Sequence, residues 1–176
     1  MSEFVGFPKI PRLSREIIIT EKLDGTNAQI FIGEDGEFLT GSRSRWITVA
    51  DDNHGFARWA TENRVCLEEL GPGRHFGEWW GGSIQKRYGV PNKRFSLFNV
   101  SRWANERPSC CDVVPTLYRG EFSQEAIDAA LERLRIGGSV AVPSCMRPEG
   151  IIIFHVAANM GFKKTIERDH EWKGKP

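Results

Sequence analysis

An α+β fold is predicted by three observations: β-branched apolar runs of strand length, apolar residues at helical spacing between capping and glycine signals, and no regular alternation of the two. Residues 17–21 and 28–32 read as strands, and Gly33-Glu34-Asp35-Gly36 reads as a hairpin turn into a third strand over 37–40. Asp51, Asp52 and Asn53 offer N-caps to one helix, whose apolar residues Phe56, Trp59, Ala60, Leu67 and Leu70 follow helical spacing up to Gly71. A second helix begins near Ser123. Ile127, Ala130, Leu131 and Leu134 form its buried stripe, and Gly137-Gly138 ends it. The last strands are predicted over 150–155 and 161–165.

A chain of 176 residues with 40% hydrophobic and 11% aromatic content can bury one respectable core, so a single domain over 1–176 is expected. The formal net charge is +1, which gives no global positive field; any surface for a polyanion must be a local patch. No apolar run reaches the length of a membrane span, and the first eight residues lack the blocks of a signal peptide. No membrane partner and a cytoplasmic location are expected. Cys66, Cys110, Cys111 and Cys145 have neither Cys-x-x-Cys spacing nor a nearby His pair, so four reduced structural thiols are expected rather than a zinc site.

Lys22 ends the first apolar run and is followed by the glycine turn Leu23-Asp24-Gly25. A lysine so placed can attack phosphorus through nitrogen, giving a P–N bond that breaks once the nitrogen is reprotonated. Lys-x-Asp-Gly alone is a common pattern, and every other candidate has an ordinary reading beside it. Phe98 or Trp80 alone is usually core packing, Arg43 a surface charge, Glu149 a solvated strand start, and Lys163 either a surface lysine or a phosphate contact. Strand parity sharpens the choice. Glu78 shares a face with Phe76 and Trp80, Phe98 points away from Phe95 and Leu97, and Lys163 and Thr165 share a face opposite to Lys164.

The order of the motifs carries more than any one of them. Glu21-Lys22-Leu23-Asp24-Gly25-Thr26-Asn27 is followed by Gly41-Ser42-Arg43-Ser44-Arg45, Phe76-Gly77-Glu78-Trp79-Trp80 and Arg94-Phe95-Ser96-Leu97-Phe98-Asn99. Pro148-Glu149-Gly150-Ile151-Ile152-Ile153 and Gly161-Phe162-Lys163-Lys164-Thr165 complete the series. From about residue 17 to 169 this resembles the covalent nucleotidyltransferase superfamily of DNA ligases, RNA ligases and capping enzymes. Within it, the series is most similar to the nick-sealing RNA ligase clade and to short RNA ligases of actinobacterial phages and their hosts.

The resemblance implies an adenylation domain of antiparallel sheets flanked by helices, here without a C-terminal OB domain. It implies an ATP-dependent RNA ligase that forms a lysyl-AMP, passes AMP to an RNA 5′-phosphate and joins that end to a 3′-hydroxyl. A DNA ligase, a GTP-using guanylyltransferase and a non-catalytic nucleotide-binding module are the alternatives. Lys22 would be the nucleophile, with Lys163 a second catalytic cation. Glu21, Asp24, Gly25, Asn27, Arg43, Glu78, Phe98, Glu149 and Lys163 would form the nucleotide site, with Glu78 on the ribose and Phe98 stacked on adenine. Glu149 would be the ligand for Mg2+ or Mn2+. Thr165 stands where the superfamily commonly has a second lysine. The basic pairs Lys86-Arg87, Lys93-Arg94 and Lys163-Lys164 offer few phosphate contacts, so weak RNA binding, and an accessory protein to supplement it, are expected.

Overall fold

The computed structural model describes residues 2–85, 88–167 and 169. Its strands are β1 (Glu16–Lys22), β2 (Thr26–Ile32), β3 (Phe38–Gly41), β4 (Trp46–Ile47), β5 (Gly73–Gly81), β6 (Lys93–Leu97), β7 (Asp112–Val113), β8 (Thr116–Glu121), β9 (Gly150–His155) and β10 (Met160–Thr165). The helices are α1 (Phe56–Glu62), α2 (Arg64–Glu68), α3 (Val100–Trp103) and α4 (Gln124–Gly137), with a 3-10 turn over Val156–Ala158. Two sheets result. One is antiparallel, in the order β10-β9-β1-β8; the other runs β4-β3-β2-β5-β6-β7 and is antiparallel except for β6 beside β7.

The alternation of β1 divides its residues between two environments. Ile17 and Ile19 pack with Ile151 and Ile153 against the α4 stripe Ile127, Ala130, Leu131 and Leu134. Each buried isoleucine or leucine here contributes roughly 1.5–3 kcal/mol by leaving water. Ser123 starts α4, its Oγ accepting from the Ala126 N–H at 3.1 Å. With α4 on that face, Ile18, Thr20 and Lys22 turn toward the second sheet. That sheet buries Ala28, Ile30, Trp79, Phe95 and Leu97 against Phe56, Leu67 and Leu70 of the α1–α2 region. Its other face carries Asn27, Gln29 and Phe31 from β2 and Arg74, Phe76 and Glu78 from β5. A third cluster, including Ile18, Leu23, Trp80, Tyr88, Val100 and Val114, joins the two sheets at the root of the cleft between them.

Two expectations are corrected. The helix expected up to Gly71 is two short helices, because Asn63 takes φ −105° and its Nδ2 donates to the Trp59 carbonyl at 2.8 Å, closing the first helix. Asp52 still caps it, accepting from the Ala57 and Arg58 amides at 2.7 and 3.0 Å. Cys66 and Cys110 are joined as a disulfide, with Cα atoms 6.3 Å apart, not held as two reduced thiols. They lie 44 positions apart, a spacing no short motif reveals, and meet because α2 and the segment before β7 pack on the same core. Cys111 and Cys145 are free and buried, and burial pushes the Cys111 thiol up to about 12.

Candidate active site

The strand β1 ends in the cleft because its register with β9 sets Lys22 opposite Gly150, directly after Glu149. Lys22 Nζ lies 2.5 Å from Glu149 Oε2, both side chains about one-quarter exposed. Gly150 is required at this corner: its φ is +154°, and a Cβ would collide with the Lys164 carbonyl of β10. Gly25 has a similar constraint on the other side, where a Cβ would stand 2.7 Å from Trp80 Cβ. The Lys-x-Asp-Gly turn is thus seated on β5. Its Asp24 N–H donates to the buried Tyr88 hydroxyl at 2.8 Å, which fixes the turn from beneath.

Glu78 faces Lys22 across the cleft. Asn27 and Glu78 are paired in the β2–β5 register, and Asn27 Nδ2 donates to Oε2 at 3.0 Å while Gly25 N–H donates to Oε1 at 3.1 Å. Burial pushes the Glu78 carboxyl up to about 7, against the lowering effects of the Lys22 charge and these two hydrogen bonds. A group poised near neutral pH in a cleft marks a candidate functional residue.

The cleft has a volume of about 1010 Å³, and Glu21, Lys22, Gly25, Asn27, Arg43, Glu78, Phe98 and Lys163 all line it. The strand parity is realised. Phe95 and Leu97 are buried while Phe98 is 40% exposed at the cleft, and Lys163 lines the cleft while Lys164 reaches back to Asp128 of α4 at 3.0 Å. Lys163 pairs in register with Ile152, whose other neighbour is Thr20, so it lies on the Lys22 face of the sheet. Glu149 joins the site through Lys22, and Asp24 contributes its backbone to the turn. Glu21 is buried, and its Oε2 accepts from the Val140 and Ala141 amides at 2.8 and 3.0 Å. Its Oε1 has no hydrogen-bond partner among the described residues.

Several residues that build or line the cleft carry no signal in the sequence. Tyr88 supports the turn from 64 positions away. Arg74 and Arg102 extend the cleft beyond Glu78, and Arg119 enters from β8, a strand not expected at all. Thr165 uses its backbone N–H and hydroxyl locally, on Asp169 and on the Glu167 carbonyl. Among the described residues no three His, Cys, Asp or Glu side chains converge as a metal cluster.

A family model described as RNA ligase matches residues 15–166. No curated protein matches the chain. Among solved structures, three of Naegleria gruberi RNA ligase share the fold. A lysine-to-methionine mutant with AMP and Mn is 20% identical over 87% of this chain and 50% of that one, at a TM-score of 0.65. An arginine-to-alanine mutant with ATP and Mn is 20% identical over 88% and 51%, at 0.66. An apo lysine-to-alanine mutant is 21% identical over 86% and 50%, at 0.65. The chain spans about half the length of these structures. With the match running from the start of β1 to the end of β10, the chain belongs to the RNA ligase family.

Proposed function

We propose that the chain is the adenylation domain of an ATP-dependent RNA ligase, in which Lys22 becomes a lysyl-AMP. The observation that carries this reading is the pairing of Lys22 with Glu149 at 2.5 Å inside a cleft that Glu78 and Phe98 also line. In the first step the Lys22 Nζ–Pα bond forms, the bond from Pα to the bridging oxygen breaks, and pyrophosphate leaves with the electron pair. Lys22 must first lose a proton, and Glu149 is the carboxylate in contact with it. An RNA 5′-phosphate oxygen then attacks Pα and the P–N bond breaks with return of a proton to Nζ. Attack of a 3′-hydroxyl on the activated 5′-phosphorus closes the strand and releases AMP.

The residues fit the nucleotide. Glu21 lines the cleft and its Oε1 is a buried acceptor without a partner among the described residues; an adenine whose exocyclic amine reached it would satisfy it as a donor, which guanine O6 could not. Phe98 offers a half-exposed aromatic face for the base, and Glu78 two oxygens for ribose hydroxyls. A divalent cation also fits. Mg2+ and Mn2+ sites on nucleotides need only one or two carboxylates beside substrate phosphates and water, and Glu149 would be the protein ligand. Bound there, the ion would neutralise phosphate charge. Arg43 and Lys163 reach the same cleft as fixed cations for phosphate oxygens.

The test is intact mass after incubation with ATP and a divalent metal. One adenylate on Lys22, acid-labile and alkali-stable, is expected; Lys22→Ala should carry none. Glu149→Gln should slow adduct formation by about 100-fold or more and raise the metal concentration needed. An undiminished adduct in Lys22→Ala would overturn the assignment. End-joining of RNA against DNA, and labelling with ATP against GTP, separate the ligase from the other nucleotidyltransferases.

A further inference from the structure

The basic pairs that the sequence offers for RNA are largely engaged elsewhere. Lys93 Nζ donates to the His54 carbonyl at 2.7 Å, Arg94 faces Asp112 at 4.0 Å, and Lys164 is held by Asp128. Lys86-Arg87 lies outside the described residues. The unspent positive charge is in the cleft, lined by six cations (Lys22, Arg43, Arg74, Arg102, Arg119, Lys163) and two carboxylates (Glu21, Glu78). Of those cations, Arg43, Arg74 and Lys163 form no ion pair among the described residues, whereas Arg102, also without one, donates from NH2 to the Leu70 carbonyl at 2.8 Å and lies 4.3 Å from the Trp103 ring centroid.

The outer half of this cleft is built differently from the nucleotide end. On β5, Phe76 and Arg74 continue the Glu78 face outward, with Arg74 four residue steps, about 13 Å, from Glu78. Phe76, which lines the cleft, is 51% exposed, and Trp46, on the same sheet face but beyond the cleft lining, is 43% exposed. The Arg74 guanidinium lies 4.8 Å from the Phe31 ring centroid and 5.3 Å from that of Trp46, and its NH1 donates to Gln29 Oε1 at 3.4 Å. The loop bearing Arg43 and leading to Trp46 is pinned: Ser42 N–H donates to the Arg45 carbonyl at 2.8 Å, and Arg45 grips Asp51 with two hydrogen bonds. The result is two exposed aromatic rings, Phe76 and Trp46, on one sheet face with the Arg74 guanidinium, which has no ion pair among the described residues, held in place before any ligand arrives.

We propose that the outer cleft, together with the sheet face beyond it, binds a short unpaired segment of the RNA substrate, with bases stacked on Phe76 and Trp46 and a phosphate on Arg74. The proposal rests on the RNA ligase reading and adds the substrate form that this site takes. A cationic group beside open aromatic faces matches a polyanion whose bases present π-faces. A duplex cannot use such a surface, because its bases are already stacked on one another and bury those faces. The span from Glu78 to Arg74 suits about two nucleotides beside the adenylate site.

Binding is measured without ATP, by fluorescence anisotropy of a labelled ten-nucleotide RNA bearing a 5′-phosphate, as a single strand and as a blunt duplex of the same sequence. The wild-type protein is expected to prefer the single strand. Trp46→Ala combined with Phe76→Ala should weaken the single-strand complex at least tenfold and the duplex complex less than twofold, with lysine adenylation unchanged. Phe76→Trp should keep single-strand affinity, and Arg74→Gln should reduce its salt dependence. Should the double variant misfold, Phe76→Ala alone carries the same comparison, since its side chain is half exposed. Unchanged single-strand affinity, an equal loss for duplex, or adenylation falling in parallel would overturn the proposal. A wild-type protein that binds single strands through these residues but forms no lysyl-AMP would instead overturn the ligase reading alone.

Discussion

Asn27 and Glu78 stand opposite each other in the β2–β5 register, and through Glu78 the amide of Asn27 is tied to the backbone of the nucleophile's turn at Gly25. The carboxylate thus holds Gly25, three residues after Lys22, to the second sheet, while β1 holds Lys22 itself to the first. Two hydrogen bonds and a nearby ammonium favour the ionised form, yet burial outweighs them and the carboxyl titrates near 7. Cleft geometry and proton affinity are set by one side chain.

That relationship gives a stability test with a definite sign. The Glu78 carboxyl is raised from an ordinary 4.5 to about 7, so its contribution to stability is fully present below 4.5 and is lost as pH rises through 7. Glutamine is neutral throughout. Glu78→Gln should match wild type near pH 4.5 and exceed it above pH 8 by up to about 3 kcal/mol, the free-energy equivalent of that rise. Urea denaturation at the two pH values checks this, and a variant equally destabilised at both would contradict it. Nucleotide affinity should fall in the same variant, because an amide accepts more weakly than a carboxylate from ribose hydroxyls.

Neighbouring lysines on β10 should behave in opposite ways. Lys163 faces the cleft, so Lys163→Ala should slow adenylate formation by about tenfold or more through the loss of a fixed cation near phosphate. Lys164 faces α4 and contacts exposed Asp128, so Lys164→Ala should leave the rate at wild type. Single-turnover adenylation at saturating ATP distinguishes them. Equal losses would mean that the two side chains do not divide between the faces in solution.

Tyr88 tests the support beneath the turn. Its hydroxyl accepts the Asp24 N–H at 2.8 Å, and its ring lies edge-on to Trp80 at 5.0 Å between centroids. Tyr88→Phe keeps the ring and removes the acceptor, leaving a part-buried amide unpaired at a cost of about 1–3 kcal/mol. Denaturation should show that loss, and adenylation should slow as the turn bearing Lys22 loosens. Unchanged stability would mean that solvent or a neighbour satisfies the amide.

The sequence makes the site legible where chemistry is local and obscure where it is assembled at distance. Alternation alone separates Phe98 from Phe95, and Lys163 from Lys164, because strand parity is a property of neighbouring residues. Ser123 and the stripe Ile127, Ala130, Leu131 and Leu134 define α4 for the same reason. Nothing local announces β8, which has mixed burial beside β1, nor the union of Cys66 with Cys110. Asn63 breaks a continuous helical stripe through its own side chain, a competition with backbone hydrogen bonding that apolar spacing does not register. Arg74 reads as an ordinary charge until β2 and β4 bring Phe31 and Trp46 under it.

Glu21 gives the sharpest test of nucleotide choice. One carboxylate oxygen is satisfied by the Val140 and Ala141 amides, whereas Oε1 is buried without a partner among the described residues. A buried acceptor left unpaired costs free energy, so a ligand that donates to it gains affinity and one that presents another acceptor there is penalised. Adenine carries a donor on its exocyclic nitrogen, and guanine carries an oxygen at the corresponding position. In Glu21→Gln the amide oxygen can keep the contact with the two backbone N–H groups, which turns the amide NH2 into the position of Oε1 and replaces an acceptor with a donor. Adenylation by ATP should then fall, and the ratio of ATP to GTP adducts should shift toward GTP by at least tenfold. Both adducts are read in one competition experiment by intact mass. A variant that keeps the wild-type ratio would show that Glu21 braces the 139–142 loop without touching the base.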